Sequence, residues 1–345
     1  MRIAVVNNQV PFVRGGAEAL ADWLCSKLEE HGHQAQLVRL PFQWNPAPQI
    51  LEHALAARLV RLRGIDRVVA LKYPAYFVPH DDKVLWLLHQ FRQAYDLWGT
   101  PYQDLPDTPG GHAIRDAVVA SDNAWLPEAK RIYTNSAVTS DRLRRFNGIE
   151  SEVLYPPLLD PDGFTAGAYG DYVFCPGRIT AGKRQHVLVE ALAHTRTQVR
   201  VVIGGAPEHP EDLERLERLA AEHGVADRVE IVGRFITEEE KRAWMAEALA
   251  CAYLPYDEDS YGYVTLEAFE SRRPVVTFTD SGGILELVRD AETGYVTAPE
   301  PAELAAAMDR LHEDRARARA LGEAGHDLMR TLNISWDRVV EALTA

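Results

Sequence analysis

The stretch Asp257-Glu-Asp-Ser-Tyr-Gly-Tyr-Val-Thr-Leu-Glu267 sets three carboxylates in one loop, then Gly262, then Glu267 inside an otherwise apolar helical run. A carboxylate drawn into a core is costly unless something hydrogen-bonds it. The neighbouring residues offer Glu267 no such partner, so it is a candidate ligand-holding group. A second group lies upstream, in Gly177-Arg178-Ile-Thr-Ala-Gly-Lys183. Arg forks onto phosphate oxygens and Lys supplies a point charge. Either cation alone reads as an ordinary solvated side chain. Their spacing, and their place directly after a strand-like run, point to an anion.

Glycines recur just ahead of helical patterns. Gly15-Gly16 precedes a helix from Ala17, Gly182 one from Arg184, Gly262 the run carrying Glu267, and Ser281-Gly282-Gly283 a helix from Ile284. Glycine lets the backbone come close to a ligand, and a helix N-terminus presents free N–H groups and the positive end of a dipole. One such loop is a turn; four in one chain, with cations beside two of them, suit phosphate. His89 ends a strand-like run and, alone, reads as structural. No G-x-G-x-x-G or P-loop motif follows a strand, and no H-E-x-x-H is present. Hydride transfer, kinase chemistry and a metalloprotease site are therefore disfavoured.

These groups need a frame that delivers them to one place. Short β-branched runs alternate with amphipathic helical runs. Strands are predicted at 2–6, 34–40, 67–72, 83–89 and 131–135, with a helix at 17–30. After the Pro-rich stretch 154–163, strands recur at 172–175, 198–203, 228–232, 250–254 and 274–278. Helices at 184–195, 211–222, 238–248, 263–271 and 284–290 lie between them. The pattern is that of two α/β Rossmann-like domains, 1–160 and 161–330, each a parallel sheet covered by helices. Residues 331–345 form an amphipathic helix with Trp336, Val339 and Leu343 on its apolar face. Residues 95–111 make a loop rich in Pro, Gly and aromatics, of a length often functional.

The 345 residues, 46% of them hydrophobic, suffice for such cores. A net charge of −14 argues against nucleic acid or an anionic lipid surface as a general partner, so an anionic ligand needs a local cationic cluster. Cys25, Cys175 and Cys251 are far apart in apolar contexts and read as buried thiols of a cytoplasmic protein. No apolar run is long enough to span a bilayer.

As an ensemble these residues resemble the retaining nucleotide-sugar glycosyltransferases of glycosyltransferase family 4. The segment Asp259 to Glu267 resembles that family's acid-x₇-Glu motif. Arg273-Pro-Val-Val276, Asp280-Ser-Gly-Gly283, Glu286 and Thr293-Gly-Tyr-Val296 follow in the family's order. Gly177-Arg178 with Lys183 resembles its diphosphate clamp, Val10 to Glu18 its N-terminal glycine loop, and Arg131 to Ser136 the strand before its last N-domain helix. The resemblance covers nearly the whole chain. It implies the GT-B fold, two Rossmann-like domains facing across a cleft, with a C-terminal helix crossing back to the N-domain.

The resemblance also implies roles. Glu267 would accept hydrogen bonds from the donor ribose and Asp259 would hold a hydroxyl of the donor sugar. Backbone N–H groups around Gly262, Tyr263 and Val264 would meet sugar or phosphate, as would the loop at Gly15 and Gly16. Arg178 and Lys183 would neutralise the departing diphosphate. Gly233 with Arg234 and Phe235 would lie beside the nucleobase, and His89 near the anomeric centre. The family carries Glu where Asp259 stands, and Asp is shorter by one methylene, about 1.5 Å. Either the loop moves inward, or Glu258, one place out of register, takes the role, or the sugar sits differently; register favours Asp259.

The implied reaction moves a sugar from a nucleoside-diphosphate sugar to an acceptor hydroxyl with retention, the leaving phosphate taking the acceptor's proton, without metal or other cofactor. The acceptor would be a carbohydrate, a lipid-linked saccharide or a small molecule, in surface polysaccharide or glycoconjugate synthesis. Lys72 and Arg92 are the acceptor-side candidates, and membrane contact would be peripheral at most. A nucleotide-sugar epimerase on the same fold and a non-catalytic sugar-nucleotide-binding protein are the competing readings.

Overall fold

Arg67–Ala70 and Lys83–Leu87 are buried along their whole length, as central strands of a parallel sheet covered on both faces must be. The computed structural model of the protein describes residues 1–12 and 15–345. Val13 and Arg14, part of the glycine-loop motif, lie outside the described residues.

The chain divides into two compact units, Met1–Pro157 with Ile334–Ala345, and Leu158–Asn333. In chain order the first unit comprises β1 (Arg2–Gln9), α1 (Gly16–Glu30), β2 (Gln34–Pro41), α2 (Gln49–Leu59), β3 (Arg67–Ala70), β4 (Lys83–Leu87), α3 (Pro109–Trp125), β5 (Arg131–Thr134), α4 (Ala137–Asn147) and β6 (Glu152–Val153). The second comprises β7 (Tyr172–Pro176), α5 (Gln185–Leu192), β8 (Arg200–Gly204), α6 (Pro210–Glu222), β9 (Val229–Val232), α7 (Glu238–Glu247), β10 (Ala250–Ala252), α8 (Tyr263–Glu270), β11 (Val275–Phe278), β12 (Gly294–Thr297), α9 (Pro301–Glu313) and α10 (Arg315–Thr331). The chain then returns to the first unit as α11 (Trp336–Thr344).

Both sheets are parallel throughout, in the orders β2-β1-β3-β4-β5-β6 and β12-β11-β10-β7-β8-β9. In each sheet the chain reverses its direction of travel once, between β1 and β3 in the first and between β7 and β10 in the second. Ligands of such sheets bind beyond the carboxyl ends of the strands at this reversal. The loops after β7 and β10 are the ones that carry Lys183 and the acid cluster.

α11 completes the core of the first unit. Its Trp336, Val339, Val340 and Leu343 are buried with Ile3, Val5, Leu20, Leu24 and Trp86. The Trp336 and Trp86 rings meet edge to face at 6.5 Å. Arg67 Nη1 donates to the carbonyls of Leu343 (3.0 Å) and Ala345 (2.9 Å), occupying orphan acceptors at the helix end. Burying large apolar side chains stabilises by roughly 1.5–3 kcal/mol each, so this return of the chain is a substantial part of the unit's stability.

Several elements depart from the sequence pattern. The helix expected at 284–290 is a single 3₁₀ turn, Gly283–Glu286. The Thr293 hydroxyl donates to the Leu287 carbonyl (2.6 Å) and accepts from the Arg289 N–H (2.8 Å), groups that a continued helix would have used itself. The strands expected at 67–72 and 250–254 stop at Ala70 and Ala252. The edge strands β6 and β12 and the helices α2, α3, α9 and α10 are additional to the pattern. Of the stretch 95–111, residues from Pro109 onward already belong to α3, with Thr108 as its N-cap accepting from the Gly111 N–H. Among the described residues no helix is long and apolar enough to cross a membrane.

Candidate active site

At the reversal point of the second sheet, three loops are tied together by their backbones. The Tyr256 N–H donates to the Gly182 carbonyl (3.0 Å), Asp257 to Asp280 (2.8 Å), Glu258 to Ser281 (3.1 Å), and Gly283 back to Glu258 (2.8 Å). Arg184, itself in the left-handed region at φ 53°, grips the same loops from within. Its guanidinium forks onto Asp280 at 2.7 and 2.8 Å and reaches the carbonyls of Leu254 and Pro255, each at 2.7 Å. The loop after β7 is thereby fixed against those after β10 and β11.

Glu267 is buried in the second turn of α8. Its Oε1 accepts from Lys241 Nζ at 2.5 Å, while Oε2 is buried with no hydrogen-bond partner among the described residues. Lys241, on α7, also lies 3.0 Å from Glu238. Burial raises the pKa of Glu267, and the Lys241 ammonium pulls it back. Burial likewise works against the charge of Lys241, but Glu267 and Glu238 outweigh it and its pKa is raised. The arrangement leaves one buried carboxylate oxygen uncommitted, which suits a ligand hydroxyl.

Lys183 ends the 3₁₀ turn Ala181–Lys183, and its N–H donates to the N-cap Thr180 hydroxyl at 3.3 Å. Its Nζ donates to Glu258 Oε2 (2.6 Å) and to the Tyr253 hydroxyl (2.7 Å), and it sits 4.6 Å from the centre of the Tyr253 ring. Burial disfavours the ammonium, but Glu258 and Tyr253 more than offset it and raise its pKa. Asp259, half-buried, adjoins the same cluster and helps push the Tyr253 phenol up, after burial and Glu258. Arg178 stands apart. It is exposed and ion-paired with Glu208 at 3.0 Å, so the two expected clamp cations do not share a partner.

Gly262 caps α8 at φ 68° and ψ 141°. A Cβ on this residue would overlap the Tyr253 ring. The glycine is thus required by Tyr253, the partner of Lys183, as well as by its own backbone. Tyr263 and Val264 form the first turn of α8, where helix N–H groups and the positive dipole end are presented. Beyond β9, Arg234 is exposed and forks onto Glu240 at 2.6 and 3.0 Å, and the Phe235 ring is 78% exposed. Glu240 in turn belongs to the Thr237 capping box of α7.

In the first unit the reversal point is flanked by the glycine loop and by Lys72. The Gly15 N–H donates to Glu18 Oε2 at 2.9 Å, and Lys72 Nζ lies 2.7 Å from Glu18 Oε1. Burial pushes the Glu18 pKa up, but Lys72 together with the Glu18 and Gly15 backbone N–H groups lowers it on balance. Lys72, expected to face an acceptor, is engaged in bracing the entry of α1, and Gly16 opens that helix. His89 is half-buried, with Nδ1 2.6 Å from the Gln90 carbonyl. Arg92 is paired with Asp96 at 2.7 Å, which Arg142 also approaches at 3.5 Å. Among the described residues no three His, Cys, Asp or Glu side chains are grouped as metal ligands.

The sequence pattern gives Lys241, Tyr253 and Arg184 no role in the site. Lys241 reads locally as the partner of Glu238 on one helix face. Nothing in its neighbourhood signals a partner on another helix.

Residues 169–327 match the family model described as glycosyl transferases group 1. The chain is 34% identical to the GDP-mannose-dependent alpha-(1-6)-phosphatidylinositol monomannoside mannosyltransferase of Mycobacterium tuberculosis, over 99% of this chain and 97% of that protein. It is 30% identical to a D-inositol 3-phosphate glycosyltransferase of Acidothermus cellulolyticus, over 81% and 69% of the two. Among solved structures it resembles sucrose-phosphate synthase from Thermosynechococcus elongatus, with a TM-score of 0.78 and 20% identity over 99% and 97% of the chains. It also resembles Anabaena HepE in complex with UDP and glucose, with a TM-score of 0.71 and 19% identity over 100% and 99%. These structural likenesses establish the GT-B fold. Together with full-length similarity to a curated relative, they lead to one conclusion: the chain belongs to the group 1 glycosyltransferases, glycosyltransferase family 4, and is a glycosyltransferase.

Proposed function

We propose that the second unit binds a nucleoside-diphosphate sugar and that the enzyme transfers the sugar to an acceptor hydroxyl with retention of configuration at the anomeric carbon. The observation that carries the reading is Glu267, a buried carboxylate with one oxygen on Lys241 and the other uncommitted. A ribose diol supplies the donors this oxygen lacks. Phosphates of the same ligand, placed toward the start of α8, come within reach of Lys183.

In the proposed reaction the bond from the anomeric carbon to the phosphate oxygen breaks and a bond to the acceptor oxygen forms. The acceptor's proton passes to the leaving phosphate. Negative charge grows on the diphosphate as the bond breaks, and a preorganised ammonium and helix N–H groups favour that state over the ground state. Lys183 and the first turn of α8 fill this role, with Arg178 assisting once released from Glu208. Asp259 holds a hydroxyl of the transferred sugar. No metal enters the proposal, and turnover is expected to persist in EDTA. The first unit is assigned the acceptor, with His89 the side chain nearest in kind to a catalytic group.

The curated relatives act on GDP-mannose and on inositol-bearing acceptors, by their names. GDP-mannose with a phosphorylated or lipid-linked polyol is therefore the first pair to assay, with UDP-sugars alongside. Retention is tested by the anomeric NMR signals of the product, and an inverted linkage overturns it. Asp259→Asn is expected to lower kcat by at least about a hundredfold with donor affinity little changed. Unchanged turnover removes Asp259 from the site.

A further inference from the structure

The carboxylate paired with Lys183 is Glu258, to which the proposed reaction gives no role. Its position is built rather than incidental. Its N–H donates to the Ser281 carbonyl (3.1 Å) and its own carbonyl accepts from the Gly283 N–H (2.8 Å). Gly282, at φ 71°, leaves out a side chain whose Cβ would overlap the Glu258 backbone. The next turn upstream is tied to the Lys183 loop through the Tyr256 N–H and the Gly182 carbonyl (3.0 Å). Backbone on both sides is therefore held in place, and only the side-chain torsions of Glu258 remain free to swing.

Lys183 has three N–H donors. Glu258 takes one at 2.6 Å and the Tyr253 hydroxyl another at 2.7 Å, with the phenol itself 3.3 Å from the same carboxylate oxygen. Lys183 and Glu258 keep 30% and 25% of their side-chain surface in solvent, so the pair is reachable from outside. An anion arriving at Lys183 meets an ammonium already occupied by another anion. The two negative groups repel each other if both stay at that distance.

We propose that Glu258 is a resident counter-anion of Lys183, displaced by the diphosphate of the donor and returning as the nucleoside diphosphate departs. The proposal rests on the donor-site reading given above. Before binding, Glu258 supplies the opposite charge to an ammonium that otherwise has, among the described residues, only the Tyr253 hydroxyl and ring beside it. During binding it is exchanged for a phosphate oxygen. After transfer its negative charge beside the product diphosphate weakens product retention. Donor affinity is thereby traded against the rate of product release, and the side chain acts without touching the reacting atoms.

The test is calorimetric titration of GDP, UDP, guanosine and uridine into wild type, Glu258→Gln, Lys183→Met and the double variant. Glu258→Gln keeps the shape and removes the charge. It is expected to bind whichever diphosphate the wild type prefers about tenfold more tightly, with affinity for the matching nucleoside unchanged. In turnover its kcat falls as product inhibition strengthens. In the Lys183→Met background the gain from Glu258→Gln is expected to vanish, because the exchange site is gone. An unchanged or weaker diphosphate affinity in Glu258→Gln overturns the proposal. So does a gain that extends to the nucleoside or survives in Lys183→Met. If the wild type binds neither diphosphate, the donor-site reading itself fails, which is a separate outcome.

Discussion

Lys241 Nζ lies 2.5 Å from Glu267 Oε1, joining α7 to α8 across a separation of 26 residues. The lysine opposes the upward push of burial on the acid's pKa while leaving its second oxygen for a ligand. Glu238 and Arg242 on α7, Tyr263 on α8 and Cys251 on β10 are the other titratable groups that feel this carboxylate. Burial already raises the Glu267 pKa and Lys241 restrains it. In Lys241→Met the restraint is gone, so Glu267 protonates at higher pH. Loss of a charged hydrogen bond to ribose is worth roughly 1.5–3 kcal/mol, so nucleoside affinity at pH 7 should fall about tenfold to a hundredfold. Affinity should recover as pH rises, and Lys241→Arg should restore most of it. Binding constants measured from pH 6 to 9 decide the point; a profile that does not move upward contradicts it.

Gly262→Ala should act on Lys183 at one remove. A Cβ there overlaps the Tyr253 ring, and the left-handed φ of 68° strains any L residue. A loss of about 2–4 kcal/mol in stability is expected, and diphosphate affinity should fall because Tyr253 can no longer stay beneath Lys183. Thermal unfolding together with titration of the diphosphate checks both. A variant with normal stability and normal affinity would show that Tyr253 moves aside freely.

Asp122 offers a pH signature in the first unit. It is fully buried on α3, accepting from the Tyr76 hydroxyl (2.9 Å) and the Tyr95 hydroxyl (2.7 Å). Burial pushes its carboxyl up to about 7, against the pull of the two phenols. In the unfolded chain it ionises near 3.9. Between these values the folded protein holds a proton that the unfolded chain has released. The contribution is fully present below about pH 4 and is lost as pH rises toward 7, amounting to about 4 kcal/mol at the limit. Asp122→Asn removes it. The stability difference between wild type and variant, from urea unfolding, should shift steadily against the wild type across that window. Parallel curves would show that Asp122 stays ionised.

Trp336→Ala should destabilise by about 3–5 kcal/mol, the usual range for emptying a buried aromatic site. The ring packs against Trp86 in the core of the first unit. Urea unfolding followed by tryptophan fluorescence measures the loss, and a change below about 1 kcal/mol would place α11 outside the cooperative core.

The alternation of buried β-branched runs with amphipathic helices carried the α/β fold class, because a parallel sheet leaves long apolar stretches in the sequence. Glu267 was legible for the opposite reason, as a charge that breaks such a stretch. What escaped was pairing at long range. Lys241 has an adequate local explanation in Glu238, and Glu258 looked like one acid among three until the backbone placed it on Lys183. The 284–290 helix was misread because the Thr293 hydroxyl, which captures Leu287 and Arg289, lies beyond the segment it terminates. Gly262 was legible as a glycine that a helix start requires, but its overlap with Tyr253 depends on a strand end that no local pattern predicts.

The return of the chain at α11 bears on how the protein is made. Trp336, Val339, Val340 and Leu343 leave the ribosome after residues 158–333 have been synthesised, yet they fill the core begun by Ile3 and Val5. The second unit has all its residues in hand while the first still lacks a wall. The usual order of vectorial folding, N-terminal part first, is therefore inverted here: the segment translated first is the one that finishes last.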